Sequence, residues 1–178
     1  MTANDVPYRP EASSPPGELP NAALDAPDAV QDALDCAYRY LAHRDRTEHE
    51  MRTQLEREGV GAAAIEEAVG VLTELQYLDD ARFALRFTQD KRELEAWGGE
   101  RIERRLTALG VERDLVRAAL AEDSESRAEL DRALALLRRR FAEPPGDCRG
   151  RDRALGVLLR KGYEPDLALE ALASWSRS

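Results

Sequence analysis

Leu55-Glu56-Arg57-Glu58-Gly59-Val60 is the first of three similar hexapeptides in this chain, each with leucine first, glycine fifth and an apolar residue last. The other two are Leu106–Val111 and Leu158–Tyr163, and the three glycines follow one another at intervals of 51 and 52 residues. Self-similarity at a period near 50 residues is typical of a repeat protein. A glycine that ends a helix in the left-handed conformation also brings the next residue onto the leucine. The sequence therefore predicts one structural unit used three times.

Apolar residues on both sides of each glycine follow helical spacing. Those eight and four positions before it are Met51/Leu55, Ile102/Leu106 and Ala154/Leu158, and those six and ten positions after it are Ile65/Val69, Val116/Leu120 and Ala168/Leu172. A further apolar stretch precedes each pair, with Tyr40, Phe87 and Leu137 among its members. Such spacing places side chains on one helical face, and no segment shows the alternation of a hairpin. We predict an all-α fold of three tandem three-helix repeats, about nine helices, in an elongated and curved array.

The predicted boundaries follow from this period. The repeats occupy residues 29–78, 79–123 and 124–178, and an extension occupies residues 1–28. The extension holds six of the nine prolines, and residues 1–30 carry five acidic residues and one basic residue. Because the extension has no apolar periodicity, we predict that it is disordered.

The charge and composition exclude several classes of protein. A net charge of −9 argues against a protein that coats nucleic acid through bulk charge. The sequence has neither a signal-peptide pattern nor an apolar run of membrane-spanning length, so we expect a cytoplasmic protein. Two cysteines and two histidines without zinc spacing predict no metal site. Since no nucleotide-binding, metalloprotease or nucleophile motif is present either, we expect no cofactor and no catalytic residue.

Helix-start signals account for two polar motifs. Thr47-x-x-Glu50 has the form of a capping box. In the segment 77–84, Asp79 suits an N-cap, Leu78 and Phe83 suit a hydrophobic staple, and Asp80 faces the positive end of the helix. The alternative is that the two aspartates form a metal or catalytic pair, for which the neighbouring sequence offers no histidine, cysteine or glycine-rich loop.

The junction Tyr77-Leu78-Asp79-Asp80-x-x-Phe83-Ala84, the stretch from Arg44 to Gly59 and the stretch from Arg101 to Gly110 together resemble the RecX family over roughly residues 30–175. Members of that family are bacterial regulators of the RecA recombinase, built of three three-helix repeats. The resemblance implies a monomeric, non-enzymatic inhibitor that binds the RecA–single-stranded DNA filament. It would suppress ATP hydrolysis, strand exchange and filament growth in DNA repair, recombination and the SOS response. The chain departs from the family at Glu95–Glu100, where a basic turn is common, and in its proline-rich extension.

Basic side chains in the second and third repeats are the predicted contacts to a partner or to DNA. Residues 131–178 carry ten basic and seven acidic residues, although the whole chain is acidic. The predicted set is Lys91, Arg92, Arg101, Arg104, Arg105, Arg138, Arg139, Arg140, Arg151, Arg153, Arg160 and Lys161. Taken singly, each fits a solvated helix face with local acidic neighbours. As groups they could contact phosphates, with affinity that falls steeply with salt, or acidic patches on the recombinase.

Three other functional classes remain open at this stage. Short helices joined by glycine turns could form a nucleic-acid-binding module, which a DNA titration would reveal. The repeats could be a scaffold for a protein other than RecA, which a pull-down would reveal. An enzyme is the third, and the sequence favours it least because no ligand or nucleophile cluster appears.

Overall fold

The computed structural model describes residues 27–121 and 126–177, and all regular structure within those two ranges is helical. In chain order the helices are α1 (Pro27–Leu41), α2 (Glu48–Arg57), α3 (Ala62–Glu74), α4 (Asp80–Glu95), α5 (Gly99–Ala108), α6 (Arg113–Ala121), α7 (Ser126–Arg140), α8 (Cys148–Lys161) and α9 (Pro165–Trp175). Helices α1–α3, α4–α6 and α7–α9 form three successive units, which we call unit 1, unit 2 and unit 3. The predicted all-α architecture of three-helix repeats is confirmed.

Each unit has its own hydrophobic core. Met51, Leu55 and Leu72 lie in the core of unit 1, and Ile102, Leu106 and Val116 in that of unit 2. Leu137, Leu158 and Tyr163 lie in that of unit 3. Within every unit the third helix packs on the first two, whereas helices of different units pack little against each other. The units are therefore joined by helix ends and loops.

The glycine turn has the same geometry in all three units. Gly59, Gly110 and Gly162 have φ angles of +81°, +81° and +86°. In each case the amide after the glycine donates to the carbonyl oxygen of the leucine, with N–O distances of 3.1, 3.1 and 3.2 Å. This is the Schellman arrangement, which satisfies a carbonyl group that the helix itself leaves free. The hexapeptides with which the sequence analysis began are thus three copies of one helix-ending turn.

The start of α2 is a complete capping box. The amide of Glu50 donates to Thr47 Oγ1 at 3.1 Å, and the amide of Thr47 donates to Glu50 Oε2 at 3.4 Å. Burial alone would raise the pKa of Glu50, but hydrogen bonds from Arg44 outweigh it and hold the pKa below its usual range. The capping interpretation of Thr47 and Glu50 is confirmed.

The two aspartates at the start of α4 accept hydrogen bonds from the N-termini of two different helices. Asp79 is the N-cap of α4 and accepts from the amide of Arg82 at 2.8 Å. Asp80 instead accepts from the amide of Glu48 at 3.0 Å, at the N-terminus of α2 in the preceding unit. Burial raises the pKa of Asp80. Both carboxylates satisfy helix N-termini, and residues 27–121 and 126–177 contain no group of three potential metal ligands.

Neighbouring units meet where the N-terminus of the second helix of one unit touches the glycine turn of the next, a contact that we call a joint. In the joint of units 1 and 2, Thr47 Oγ1 donates to the carbonyl oxygen of Leu109 at 2.7 Å. In the joint of units 2 and 3, the amides of Gly98 and Glu100 donate to the carbonyl oxygens of Lys161 and Gly162 at 2.8 and 3.1 Å. The same two structural elements therefore form both joints.

The predicted extension, residues 1–28, lies outside the described residues except at its end. Pro27 and Asp28 form the first turn of α1, where proline and an acidic residue are both favourable.

Tyr163 is fully buried in the core of unit 3, and its hydroxyl has no hydrogen-bond partner in the described part of the chain. Burial raises the pKa of Tyr163 to about 12. Because this folded-state pKa lies above the unfolded value of about 10, the stabilisation is complete below about pH 10 and is lost as the pH rises towards 12. We expect the free energy of unfolding to fall by about 2 kcal/mol over that interval.

Tyr163→Phe is expected to abolish this alkaline loss and to be at least as stable as the parent chain at neutral pH, since an unsatisfied buried hydroxyl disappears. Urea unfolding at several pH values would measure both effects. The exposed Tyr77 provides the control, because Tyr77→Phe should leave the alkaline loss unchanged. An alkaline loss that persisted in Tyr163→Phe would contradict the assignment.

Candidate partner-binding surfaces

The structure divides the twelve basic residues predicted from the sequence into two sets. Four of them, Lys91, Arg92, Arg101 and Lys161, have their side chains engaged within or between units 2 and 3. The other eight are exposed, and these are Arg104, Arg105, Arg138, Arg139, Arg140, Arg151, Arg153 and Arg160.

Three members of the first set, Lys91, Arg101 and Lys161, lie around Trp97 and the adjoining joint. The Arg101 guanidinium lies 4.1 Å and Lys91 Nζ lies 5.1 Å from the centroid of the Trp97 ring, both within cation–π range. Arg101 Nη1 also donates to the carbonyl oxygen of Arg160 at 3.0 Å, and Lys161 Nζ donates to that of Glu95 at 2.7 Å. These hydrogen bonds link unit 2 to unit 3, so the side chains of Arg101 and Lys161 stabilise the joint.

Arg92 is the most buried of the predicted basic residues. It is 6% exposed, and its Nη2 donates to the carbonyl oxygen of Leu120 at 3.1 Å, which ties α4 to the end of α6. Lys91 forms an ion pair with Glu95 one turn further along α4. The hydrogen bond that Lys91 donates within this ion pair lowers the pKa of the Glu95 carboxyl.

The exposed set carries charge without acidic partners. None of these eight arginines forms an ion pair with a carboxylate in residues 27–121 and 126–177. Arg138, Arg139 and Arg140 end α7, where they also face the negative end of the helix. Arg151 and Arg153 lie on α8 and Arg104 and Arg105 on α5. These guanidinium groups are available to an anionic partner.

An open groove between α5 and α6 adds two residues that the sequence analysis did not single out, Arg113 and Arg117. The groove has a volume of about 670 Å³ and is lined by Glu103, Arg104, Thr107, Ala108, Arg113, Arg117 and Leu120. Arg113 and Arg117 are four residues apart and therefore share one face of α6. The i, i+4 spacing of Arg113 and Arg117 is visible in the sequence. Their proximity to Arg104 is not, because it depends on the packing of α5 against α6.

A second groove, of about 420 Å³, lies where the α1–α2 loop meets α4 and α5. Arg86 on α4 forms an ion pair with Asp45, and both residues line the groove together with Arg105. Leu94 at the same groove is 75% exposed. This groove combines an apolar side chain with cationic neighbours.

The two grooves and the exposed arginines form the candidate binding surfaces. Among the described residues, no potential metal ligands gather in threes, and no helix has the length and apolar character needed to cross a bilayer. His49, one of the two histidines, packs in the joint against Gly110.

Three stacked three-helix units with exposed arginines on their helix faces define a helical-repeat protein whose distinguishing chemistry lies on its surface. The chain belongs to the RecX family. Models of the first and second three-helix domains of RecX match residues 33–72 and 79–120, respectively. The resemblance noted from the sequence is confirmed.

Relatives named regulatory protein RecX match most of the chain. The protein from Trichlorobacter lovleyi is 34% identical over 139 residues, which cover 76% of this chain and 90% of the relative. That from Mycolicibacterium smegmatis is 30% identical over 174 residues, covering 93% and 92% of the two chains. A relative from Listeria monocytogenes serotype 4a is 28% identical over 148 residues, and the match spans only 54% of its length.

Solved structures show the same fold. The crystal structure of RecX from Lactobacillus salivarius superposes with a TM-score of 0.76 at 18% identity, covering 85% of this chain and 99% of that one. A second RecX crystal structure gives a TM-score of 0.72 at 21% identity, covering 86% and 79%.

Proposed function

We propose that this protein regulates the RecA recombinase by binding its filament on single-stranded DNA and suppressing ATP hydrolysis, strand exchange and filament growth. It would act in the cytoplasm as a monomer, without a cofactor or catalytic residues, during DNA repair and recombination. Membership of the RecX family supports the regulatory role. The observation that carries the proposal is the set of eight exposed arginines, spread over units 2 and 3, that have no carboxylate partner among the described residues.

The repeat architecture suits a filament as partner. Each unit has a separate core, and successive units present different surfaces along one chain. Contacts can therefore be distributed over several neighbouring subunits of a polymer, as in other repeat proteins. Such a protein needs no chemistry of its own, because stronger binding to one filament state than to another shifts their equilibrium by that difference in affinity.

The direct test is ATP hydrolysis by the cognate recombinase on single-stranded DNA, with this protein added from well below to above equimolar ratio at two salt concentrations. We expect inhibition. Inhibition far below equimolar ratio would indicate action on filament ends or growth, whereas inhibition near saturation would indicate binding along the filament groove. Unchanged hydrolysis over the whole titration would refute the proposal.

Reversal of charge at Arg104 and Arg105 is expected to weaken inhibition about fivefold or more, which corresponds to about 1 kcal/mol of binding free energy. The variant Arg104→Glu/Arg105→Glu keeps every core residue of α5, since both side chains are exposed. The concentration for half-maximal inhibition of ATP hydrolysis is the measured quantity.

The matched control is Arg57→Glu/Arg177→Glu. It changes the net charge of the chain by the same amount at two exposed arginines in units 1 and 3 whose side chains form no hydrogen bond or ion pair with a described residue. If both variants weaken inhibition equally, only the total charge matters. Full inhibition by a correctly folded Arg104→Glu/Arg105→Glu variant would exclude this surface as a contact to the recombinase filament.

A further inference from the structure

The groove between the second and third helices can be compared across the three units, because the glycine turns define equivalent positions. In unit 2 the positions six before, three after and seven after the glycine are Arg104, Arg113 and Arg117, and all three line the groove. The equivalent residues are Thr53, Ala62 and Glu66 in unit 1 and Gly156, Pro165 and Leu169 in unit 3. The three units therefore carry chemically different side chains at equivalent positions of this groove.

The core positions do not diverge in this way. The position four before the glycine is a buried leucine in all three units, and the position six after it is buried Ile65, Val116 or Ala168. Packing therefore holds the buried positions to apolar residues, whereas the groove positions are free to differ. Nothing in the fold of the unit requires arginine there, since units 1 and 3 form the same turn and helices without it.

We propose that the α5–α6 groove of unit 2 binds the phosphodiester backbone of DNA. Arg104, Arg113 and Arg117 approach one open cavity from two helices, and the exposed Thr107 adds a hydroxyl at its wall. Guanidinium groups with a neighbouring hydroxyl are the donors that proteins most often direct at phosphate oxygens. Ionic contacts of this kind read no base sequence, so the groove binds DNA without sequence preference.

The acidic groups that the structure describes near the groove do not neutralise it. Among the described residues that line it, Glu103 is the single acidic one. Asp114 pairs with Arg117 at 3.0 Å, but both side chains are about three-quarters exposed, with relative exposures of 75% and 77%. An ion pair so exposed is weak and is readily exchanged for a phosphate contact.

The apolar content of the groove favours a nucleic acid over a protein partner. Its apolar lining consists of Ala108 and the partly buried Leu120, and no aromatic side chain of the described residues contributes. Protein interfaces usually centre on a buried aromatic or aliphatic anchor surrounded by polar groups. The groove at Leu94 offers an apolar side chain that could serve as such an anchor. The groove at Arg113 instead presents guanidinium groups and a hydroxyl, which are the groups of a phosphate site.

The test transplants the groove residues of unit 1 into unit 2, as Arg104→Thr/Arg113→Ala/Arg117→Glu. Unit 1 shows that these residues are compatible with the fold, and circular dichroism with urea unfolding would verify it. Binding is measured without recombinase, by fluorescence anisotropy of a labelled thymidine oligonucleotide of roughly 30 nucleotides, longer than a typical binding site. A duplex of equal length and a salt series from about 50 to 200 mM complete the design.

The full chain is expected to bind the oligonucleotide with a salt-sensitive affinity. The triple variant should bind about tenfold more weakly or worse at about 100 mM salt, and its plot of log affinity against log salt should be shallower by about two, since three phosphate contacts are lost. Arg57→Glu/Arg177→Glu changes the net charge equally and should bind like the parent chain.

Three results would overturn the inference: no DNA binding by the parent chain, undiminished binding by the triple variant, or equal loss in the control. Undiminished DNA binding together with lost inhibition of the recombinase would assign the groove to a protein partner instead. The inference is independent of the proposed function, because DNA binding through this groove would stand even if ATP hydrolysis by the recombinase were unaffected. Tighter binding to the oligonucleotide than to the duplex would identify single-stranded DNA as the source of the phosphates.

Discussion

Alanine at Gly98 or Gly162 is expected to lower the free energy of unfolding by about 3 kcal/mol or more, because the joint of units 2 and 3 has no room for a methyl group. A Cβ atom at Gly98 would lie 2.3 Å from the carbonyl oxygen of Gly162, and one at Gly162 would lie 2.3 Å from Arg101 Cβ and 2.5 Å from its amide nitrogen. Backbone atoms cannot rotate away as a flexible side chain can. The two units would have to separate or distort.

Gly59→Ala provides the matched control for this prediction. Gly59 has nearly the same positive φ as Gly162, but no atom lies within 4 Å of the position of its Cβ. It should therefore show only the cost of alanine in the left-handed conformation, about 1 kcal/mol. Gly98 has a φ of −82°, which any residue adopts, so alanine there causes no backbone strain. Gly98→Ala therefore measures the steric overlap alone.

Urea unfolding of the three variants, followed by circular dichroism, would separate the two causes. Trp97 precedes Gly98 and contacts Arg101, so its fluorescence should also change in the native state of Gly98→Ala and Gly162→Ala and not in Gly59→Ala. A Gly98→Ala chain as stable as the parent would show that the joint is loose in solution.

Thr47→Val is expected to lower the free energy of unfolding by about 3 kcal/mol, the second large effect. Thr47 is fully buried, and its hydroxyl accepts from the amide of Glu50 while donating to the carbonyl oxygen of Leu109. Valine keeps the shape of the side chain but removes the oxygen. The change therefore costs about 1 kcal/mol for the lost helix cap at the Glu50 amide and about 2 kcal/mol for the buried carbonyl group of Leu109 left unpaired.

Thr47→Ser tests whether the hydroxyl is the cause. Serine retains both hydrogen bonds and loses one methyl group, so we expect a loss of about 1 kcal/mol or less. The urea midpoints of the two variants would be compared with that of the parent chain. Equal destabilisation by serine and valine would assign the role of Thr47 to packing of its methyl group and not to the bond across the joint.

The fold could be predicted from the sequence because its determinants are local. A leucine, a glycine four residues later and the next apolar residue specify a helix end within six residues, and the spacing of Met51 and Leu55 or of Ile102 and Leu106 specifies the buried face. Thr47 and Glu50 likewise act within one turn. The joints escaped prediction because Gly98 and Gly162, or Thr47 and Leu109, meet only after the units have stacked.

The candidate site was predicted less completely for the same reason. Composition cannot distinguish an arginine that faces solvent from one that serves the fold, and Arg101 and Lys161 serve it through carbonyl oxygens in the neighbouring unit. Arg113 and Arg117, a basic pair beside Asp114, have the sequence pattern of an ordinary solvated face. Their proximity to Arg104 follows from the packing of two helices. The remaining exposed arginines stay predictions.

The Gly59 turn has the geometry of the turns at Gly110 and Gly162, but in the described residues no helix N-terminus covers it. In both joints the glycine turn contributes backbone carbonyl oxygens and a residue without a side chain, so the turn side of a joint makes few demands on the identity of the unit that carries it. An in-frame duplication of unit 2 would consequently meet compatible partners on both sides. The length of the array is thus a modular property, which gene duplication could change without redesign of any core.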